Sequence, residues 1–226
     1  MTTSTTVTTH CLFMATFAFA AAVHAEHEKP NVVVIMVDNH GWGELGCYGG
    51  GLLRGAPTPR LDQLATEGMR LLNFNVEPQC TPSRSAFMTG RHPIRSGTDR
   101  VVWGMLYGMT NWEKTMAELF SEAGYTTGMF GKWHLGDVKG RYPTDQGFDE
   151  FYGVLNTTDE SEYSSQFQYD PTALTPPQIR MGRRGEVLES VKPYDVPARR
   201  EIDAELTRRA IDFLSLIHIS EPTRHI

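Results

Sequence analysis

Cysteine is scarce in this chain of 226 residues, which has three, Cys11, Cys47 and Cys80. That count excludes a miniature disulfide scaffold, because such scaffolds are short and dense in cysteine. Basic charge is also in short supply. Twenty-one Lys and Arg stand against 27 Asp and Glu, a formal net charge of −6 at pH 7. Nucleic acid is therefore not an expected partner, since a phosphate backbone is gripped by a basic surface. No internal repeat or low-complexity block follows the N-terminus, which excludes solenoid and fibrous architectures. The apolar run from Cys11 to Val23 is too short to span a bilayer, so no stable membrane anchor is expected. What is present is globular composition, 40% hydrophobic, in a chain long enough for one domain with a sizeable core.

The first 25 residues read as an export signal. The small and apolar run from Cys11 leads to Val23-His24-Ala25, a small-residue cleavage site before Glu26. The segment ahead of it departs from the usual pattern in being threonine-rich, without Lys or Arg. The expected location is periplasmic or extracellular. Cleavage would remove Cys11 and leave Cys47 and Cys80, which an oxidising compartment allows to pair.

The chain is organised around Gln79-Cys80-Thr81-Pro82-Ser83-Arg84-Ser85-Ala86-Phe87-Met88-Thr89-Gly90-Arg91. Pro82 suits the first position of a helix, residues 83–89 follow as helix, and Gly90 supplies the stop. Cys80 is then at the helix entrance, where unpaired N–H groups and the positive end of the dipole favour an anion. Arg84 lies about one turn in and can fold back towards it. A reactive side chain, a helix entrance and an arginine make a compact anion-handling site.

The flanking segments point to an α/β fold. Residues 30–38 form a β-branched run that reads as a strand buried on both faces, with Asp38 and Asn39 at its carboxyl end. These two supply oxygen donors of the kind a hard cation takes, although an Asp-Asn pair by itself is more often a turn. Thr58, Pro59 and Gly68 punctuate a helix whose apolar face is Leu61, Leu64 and Ala65. Residues 69–76 run extended into the cysteine loop. A second amphipathic helix is expected over 112–123, then a parallel-type strand over 125–131. In the extended segment Gly131-Lys132-Trp133-His134-Leu135-Gly136 that follows, Lys132 and His134 would share a side. Residues 143–153 read as packing aromatics with turn or rim acids. Residues 156–197 have no clear period and read as a long variable connection. Residues 198–213 form a helix with Ile202, Leu206, Ala210 and Phe213 on one side.

The Cys-x-Pro-Ser-Arg run from Cys80, continued to Arg91, resembles the signature of type I sulfatases of the alkaline phosphatase superfamily. The hexapeptide 131–136 resembles that family's second signature, and residues 58–68 and 147–153 match further stretches of it. The resemblance covers roughly residues 30–213, the N-terminal half of a larger catalytic domain. It implies an α/β fold with a mostly parallel central sheet and helices on both faces, truncated here. It also implies that a maturation enzyme, formylglycine-generating or equivalent, oxidises Cys80 to Cα-formylglycine. The hydrated aldehyde would attack the sulfur of a sulfate ester, either an aryl sulfate or a sulfated glycan. Lys132 would contact a sulfate oxygen, His134 would hydrogen-bond the diol, and Arg84 would balance charge. Asp38, Asn39 and the modified Cys80 would hold Ca²⁺ or Mg²⁺, with Asn39 standing where the family has a second Asp. The family's remaining metal and sulfate ligands come from further along, so the present chain is expected to be inactive. Two other readings stand beside this one: a phosphonate or phosphodiester hydrolase of the same superfamily, and a non-catalytic fragment with unmodified Cys80. Residues 214–224 read as translated sequencing-adapter sequence, with an ordinary strand and tail as the alternative.

Overall fold

The computed structural model describes residues 29–101 and 108–216. The expected export signal at 1–25 and the last ten residues of the suspected adapter tail lie outside them. Among the described residues no helix is long and apolar enough to cross a membrane. The chain divides into two units, residues 1–40 and 41–226.

In the first unit, residues 30–37 belong to no strand or helix, and Asp38-Asn39 lies in a turn. Val33 and Ile35 are 60% and 78% exposed. This differs from the buried strand expected there. A strand covered on both faces exists only with hydrogen-bonding neighbours, and this run joins no sheet among the described residues.

The second unit begins with short 3-10 turns, Trp42–Glu44, Gly46–Tyr48 and Gly51–Arg54, and then helix α1, Pro59–Glu67. Pro59 starts α1 and Gly68 donates to the Leu64 carbonyl at its end, as the punctuation requires. Thr58, expected to cap this helix, makes no side-chain hydrogen bond to its backbone. Its hydroxyl accepts from the Gly46 N–H at 2.9 Å and donates to Asp62 at 3.0 Å, tying the glycine-rich turns to α1. Helices α2, Cys80–Thr89, and α3, Pro93–Ser96, come next. Helix α4, Met116–Glu122, starts later than the expected position 112. Thr115 sets the start through a reciprocal capping box, its hydroxyl accepting from Glu118 N–H while the Glu118 carboxylate accepts from Thr115 N–H.

Four strands form one mixed sheet in the order β1 (Gly128–Lys132), β2 (Glu150–Val154), β3 (Gln178–Arg183) and β4 (Glu189–Pro193). The β1–β2 pair is parallel, and β3 and β4 add antiparallel. The hairpin β3–β4 lies within the stretch 156–197 that reads as a connection. Its signals are modest: Ile179 flanked by polar residues and fully buried, and a turn at Gly185 with φ +83°.

Strand β2 is the centre of the unit, because its neighbouring residues serve two cores. Phe151 packs with Met88 of α2, Ala117 of α4 and Trp133, whereas Tyr152 and Val154 pack with Ile179 and with Ala198 and Ile202 of α5, Val196–Leu216. Helices thus cover both faces of the sheet, the α/β class expected. Helix α5 is capped by the Asp195 carboxylate, which accepts from Ala198 N–H at 2.9 Å, and its Phe213 meets Phe130 of β1 at 5.6 Å between ring centroids. At the β1–β2 crossing two glycines face each other. A Cβ on Gly153 would stand 1.9 Å from the Gly131 carbonyl oxygen, so only glycine lets these backbones approach.

Candidate active site

The site forms where the N-terminus of α2 meets the carboxyl end of β1. Helix α2 begins at Cys80 itself, two residues before the Pro82 start that its ring suggests. Proline is tolerated there because residue Ser83 is the first whose N–H reaches back four residues, to Gln79 at 3.1 Å, so the missing N–H of Pro82 costs no bond. Gly90 ends the helix in a left-handed conformation, φ +65°, as expected. Cys80 is half-buried on the first turn.

Lys132, the last residue of β1, sends its ammonium to this turn and donates from Nζ to Cys80 Sγ at 3.1 Å. The two motifs, 52 positions apart in the chain, therefore converge on one atom pair. Arg84 is buried and reaches the same strand end, where its Nη1 donates to the Lys132 carbonyl. Its guanidinium thus braces the backbone that carries Lys132.

His134 is 4% exposed, with φ +56°. The left-handed region costs a non-glycine residue about 1 kcal/mol or more, so the surroundings must impose it. Two hydrogen bonds do so: His134 N–H donates to the Leu155 carbonyl at 2.9 Å, and the His134 carbonyl accepts from the Thr81 hydroxyl at 3.1 Å. The regular strand ends at Lys132, so the alternation that would place Lys132 and His134 on one side stops short of the histidine. Thr81 was absent from the expected site. It is fully buried and joins the residue after the cysteine to the histidine turn, a role no local pattern announces. We expect Thr81→Val to lower stability by about 1–2 kcal/mol by removing this buried hydrogen bond to the His134 carbonyl, with Thr81→Ser restoring it. Chemical denaturation of the three proteins checks this.

Arg91 and His92 read as surface groups. His92 is exposed, but Arg91 makes a two-pronged ion pair at 2.8 Å to both oxygens of Glu113, whose side chain is 2% exposed. The pair ties the end of α2 to the approach to α4. Cys47 and Cys80 are both in the thiol form and no disulfide joins them. Cys47 instead lies in the α1 layer, its N–H donating to Asp62 at 2.7 Å and its carbonyl accepting from Arg70.

Asp38 and Asn39 belong to the first unit, and Cys80 to the second. Among the described residues no group of three or more His, Cys, Asp or Glu is gathered to hold a metal ion. Ca²⁺ takes six to eight oxygens and Mg²⁺ an octahedral set, so one carboxylate and one amide do not fit either ion as a complete site. The position of Cys80, by contrast, fits a formylglycine: the side chain is half-buried and its terminal atom already receives a proton donor from Lys132.

The arrangement defines an α/β protein with a cysteine on the first turn of a helix, faced by a lysine from a parallel strand end. The sulfatase family model matches residues 30–223. The chain belongs to the sulfatase family. It is 45% identical to human arylsulfatase D over 140 residues, which is 56% of this chain and 23% of that protein. It is 43% identical to human arylsulfatase A over 145 residues, 62% of this chain and 28% of that one. Among solved structures, the PsFucS1 sulfatase from Pseudoalteromonas sp. matches with a TM-score of 0.74 and 38% identity, over 84% of this chain and 41% of that one. Ps i-CgsB matches at 0.66 and 29%, over 84% and 42%. The chain thus spans about a quarter of the length of these two curated relatives.

Proposed function

We propose that the chain is the N-terminal part of an exported sulfuric ester hydrolase whose nucleophile derives from Cys80. The observation that carries this reading is the 3.1 Å contact of Lys132 Nζ with Cys80 Sγ, made by the two signature motifs of a chain in this family. A maturation enzyme would oxidise Cys80, and the resulting formylglycine supplies, as its hydrate, an oxygen nucleophile for sulfur.

The remaining work falls to this chain's own side chains. The Lys132 ammonium stands beside the nucleophile position, where the charge of a sulfate group would arrive, and offers fixed electrostatic stabilisation. Arg84 keeps that strand end in place from below and adds a second cation to the site. His134, whose main chain is pinned on both sides, would hold or pass a proton at an imidazole nitrogen. Asp38, Asn39 and the modified Cys80 are this chain's proposed share of a Ca²⁺ or Mg²⁺ site. Since they do not complete one, the 226-residue chain alone is expected to be inactive.

The substrate is a sulfate ester, aryl or glycan. Paired assays test the reaction class. A polypeptide extended to the length of its relatives should turn over an aryl sulfate at least about a hundredfold faster, by kcat/KM, than the matching aryl phosphodiester. A preference for the phosphodiester would overturn the reading in favour of phosphorus chemistry.

A further inference from the structure

The segment after α3 returns to α2 and grips it at two points. Near the middle of the helix the grip is a group of buried hydroxyls. Thr98 Oγ1 donates to Ser85 Oγ at 2.6 Å and lies 2.8 Å from Ser96 Oγ, which donates to the Pro93 carbonyl at 3.2 Å. At the start of the helix the grip is a single side chain: Gln79 Oε1 accepts from the Val101 N–H at 2.9 Å. Gln79 holds the N-cap position of α2, yet its side chain makes no hydrogen bond to the helix. The residues favoured there are short, so that their oxygen folds back on the first turn. The longer glutamine instead reaches out to Val101.

This bond falls beside the reacting pair. Lys132 is fixed by β1 and by the Arg84 bond to its carbonyl. Cys80 is delivered by residues 69–76, which belong to no regular element, so its approach needs other support. Thr81 ties down the residue after the cysteine, through the His134 carbonyl. Ser83 Oγ donates to the Glu77 carbonyl at 2.7 Å, which closes the loop only upon itself. The Gln79 bond ties down the residue before the cysteine, and ties it to a segment already anchored by the buried hydroxyls.

We propose that Gln79 is a positioning residue for the Cys80–Lys132 pair, its side-chain carbonyl held on Val101 so that the backbone presents Cys80 to the lysine. The value of this to catalysis rests on the sulfate-ester reading above; the positioning itself does not. A misplacement of about 1 Å at a reacting group can cost about a hundredfold in rate.

The test begins with the 226-residue chain and its Cys80 thiol, and needs no sulfatase activity. Succinimidyl iodoacetate, a short amine-to-thiol reagent, joins Lys132 Nζ to Cys80 Sγ while the two stay close, and peptide mass spectrometry reads the yield. Gln79→Met keeps the side-chain length and removes the carbonyl, whereas Gln79→Glu keeps an oxygen acceptor. Position 79 is exposed, so neither substitution disturbs a core. We expect the Lys132–Cys80 link to fall about fivefold or more in Gln79→Met and to stay within about twofold in Gln79→Glu. Thr115→Val, which breaks the cap of α4, is the control for general loss of stability: the unfolding midpoint should fall and the link should stay.

The second readout is kinetic, in a polypeptide extended to the length of its relatives. Gln79→Met should lower kcat for an aryl sulfate about ten- to a hundredfold with KM within about threefold. Gln79→Glu should return kcat to within about threefold, its added charge showing in KM. An undiminished link in Gln79→Met, an equal loss in Gln79→Glu, or an equal loss in Thr115→Val overturns the proposal. If the link responds as expected while no sulfate ester is hydrolysed, the function is wrong and the positioning stands. If hydrolysis proceeds while the link ignores Gln79, the positioning is wrong and the function stands.

Discussion

Replacing Cys80 by alanine in a polypeptide extended to the length of its relatives is expected to lower kcat for an aryl sulfate by about ten-thousandfold or more. The size follows from the role. In the proposed reaction the other groups assigned to the site orient or stabilise, and only position 80 supplies the attacking atom. The substitution should leave the fold intact, because Cys80 is the first, half-buried residue of α2 and alanine is at ease in a helix. Its main chain still accepts and donates as before. A loss of activity with an unchanged unfolding midpoint is therefore the expected pair of results. Activity within about tenfold of the natural protein would mean that another residue attacks sulfur.

Lys132→Ala is the second large effect, an expected drop in kcat/KM of about 100- to 1000-fold. Here the structure separates chemistry from stability. The ammonium meets Cys80, whereas the bond that braces the strand end uses the Lys132 main-chain carbonyl and the Arg84 guanidinium. Alanine removes the first and keeps the second, so the midpoint should move little. Arg84→Ala should behave differently, since it vacates a buried guanidinium and removes its hydrogen bond to the Lys132 carbonyl, costing about 1–3 kcal/mol of stability as well as activity. Steady-state kinetics with thermal unfolding on the two variants distinguishes the roles. Equal destabilisation in both would contradict the assignment.

Much of this site was legible in the sequence because its parts are short, continuous motifs. Cys80, Arg84, Lys132 and His134 could be named from two runs of residues, and the structure brings the first three within one hydrogen-bonded group. Helix ends were legible where a residue has a single physical reason to be there, as with Pro59, Gly68 and Gly90. The start of α2 was misplaced because Pro82 is tolerated at any of the first positions whose N–H is unpaired, not only the first.

The parts that stayed hidden depend on residues distant in the chain. Thr81 looks like an ordinary polar helix residue until His134 is seen to need its hydroxyl 53 positions away. Arg91 looks like a surface cation until Glu113 is found buried against it. The β-branched run 30–37 states a demand for burial but not the partner that would meet it, so it reads as a strand where the structure forms none. The β3–β4 hairpin was missed for the opposite reason: β4 is exposed along its whole length, so its sequence carries no apolar alternation.

The account rests most heavily on the chemical identity of position 80. Mass spectrometry of the peptide containing it, from protein co-produced with a formylglycine-generating enzyme, tests that directly. The predicted product has lost a sulfur and two hydrogens, gained one oxygen, and reacts with an aminooxy probe. A peptide that keeps its thiol, or that loses only hydrogen in a disulfide to Cys47, from a preparation that hydrolyses sulfate esters would contradict the account.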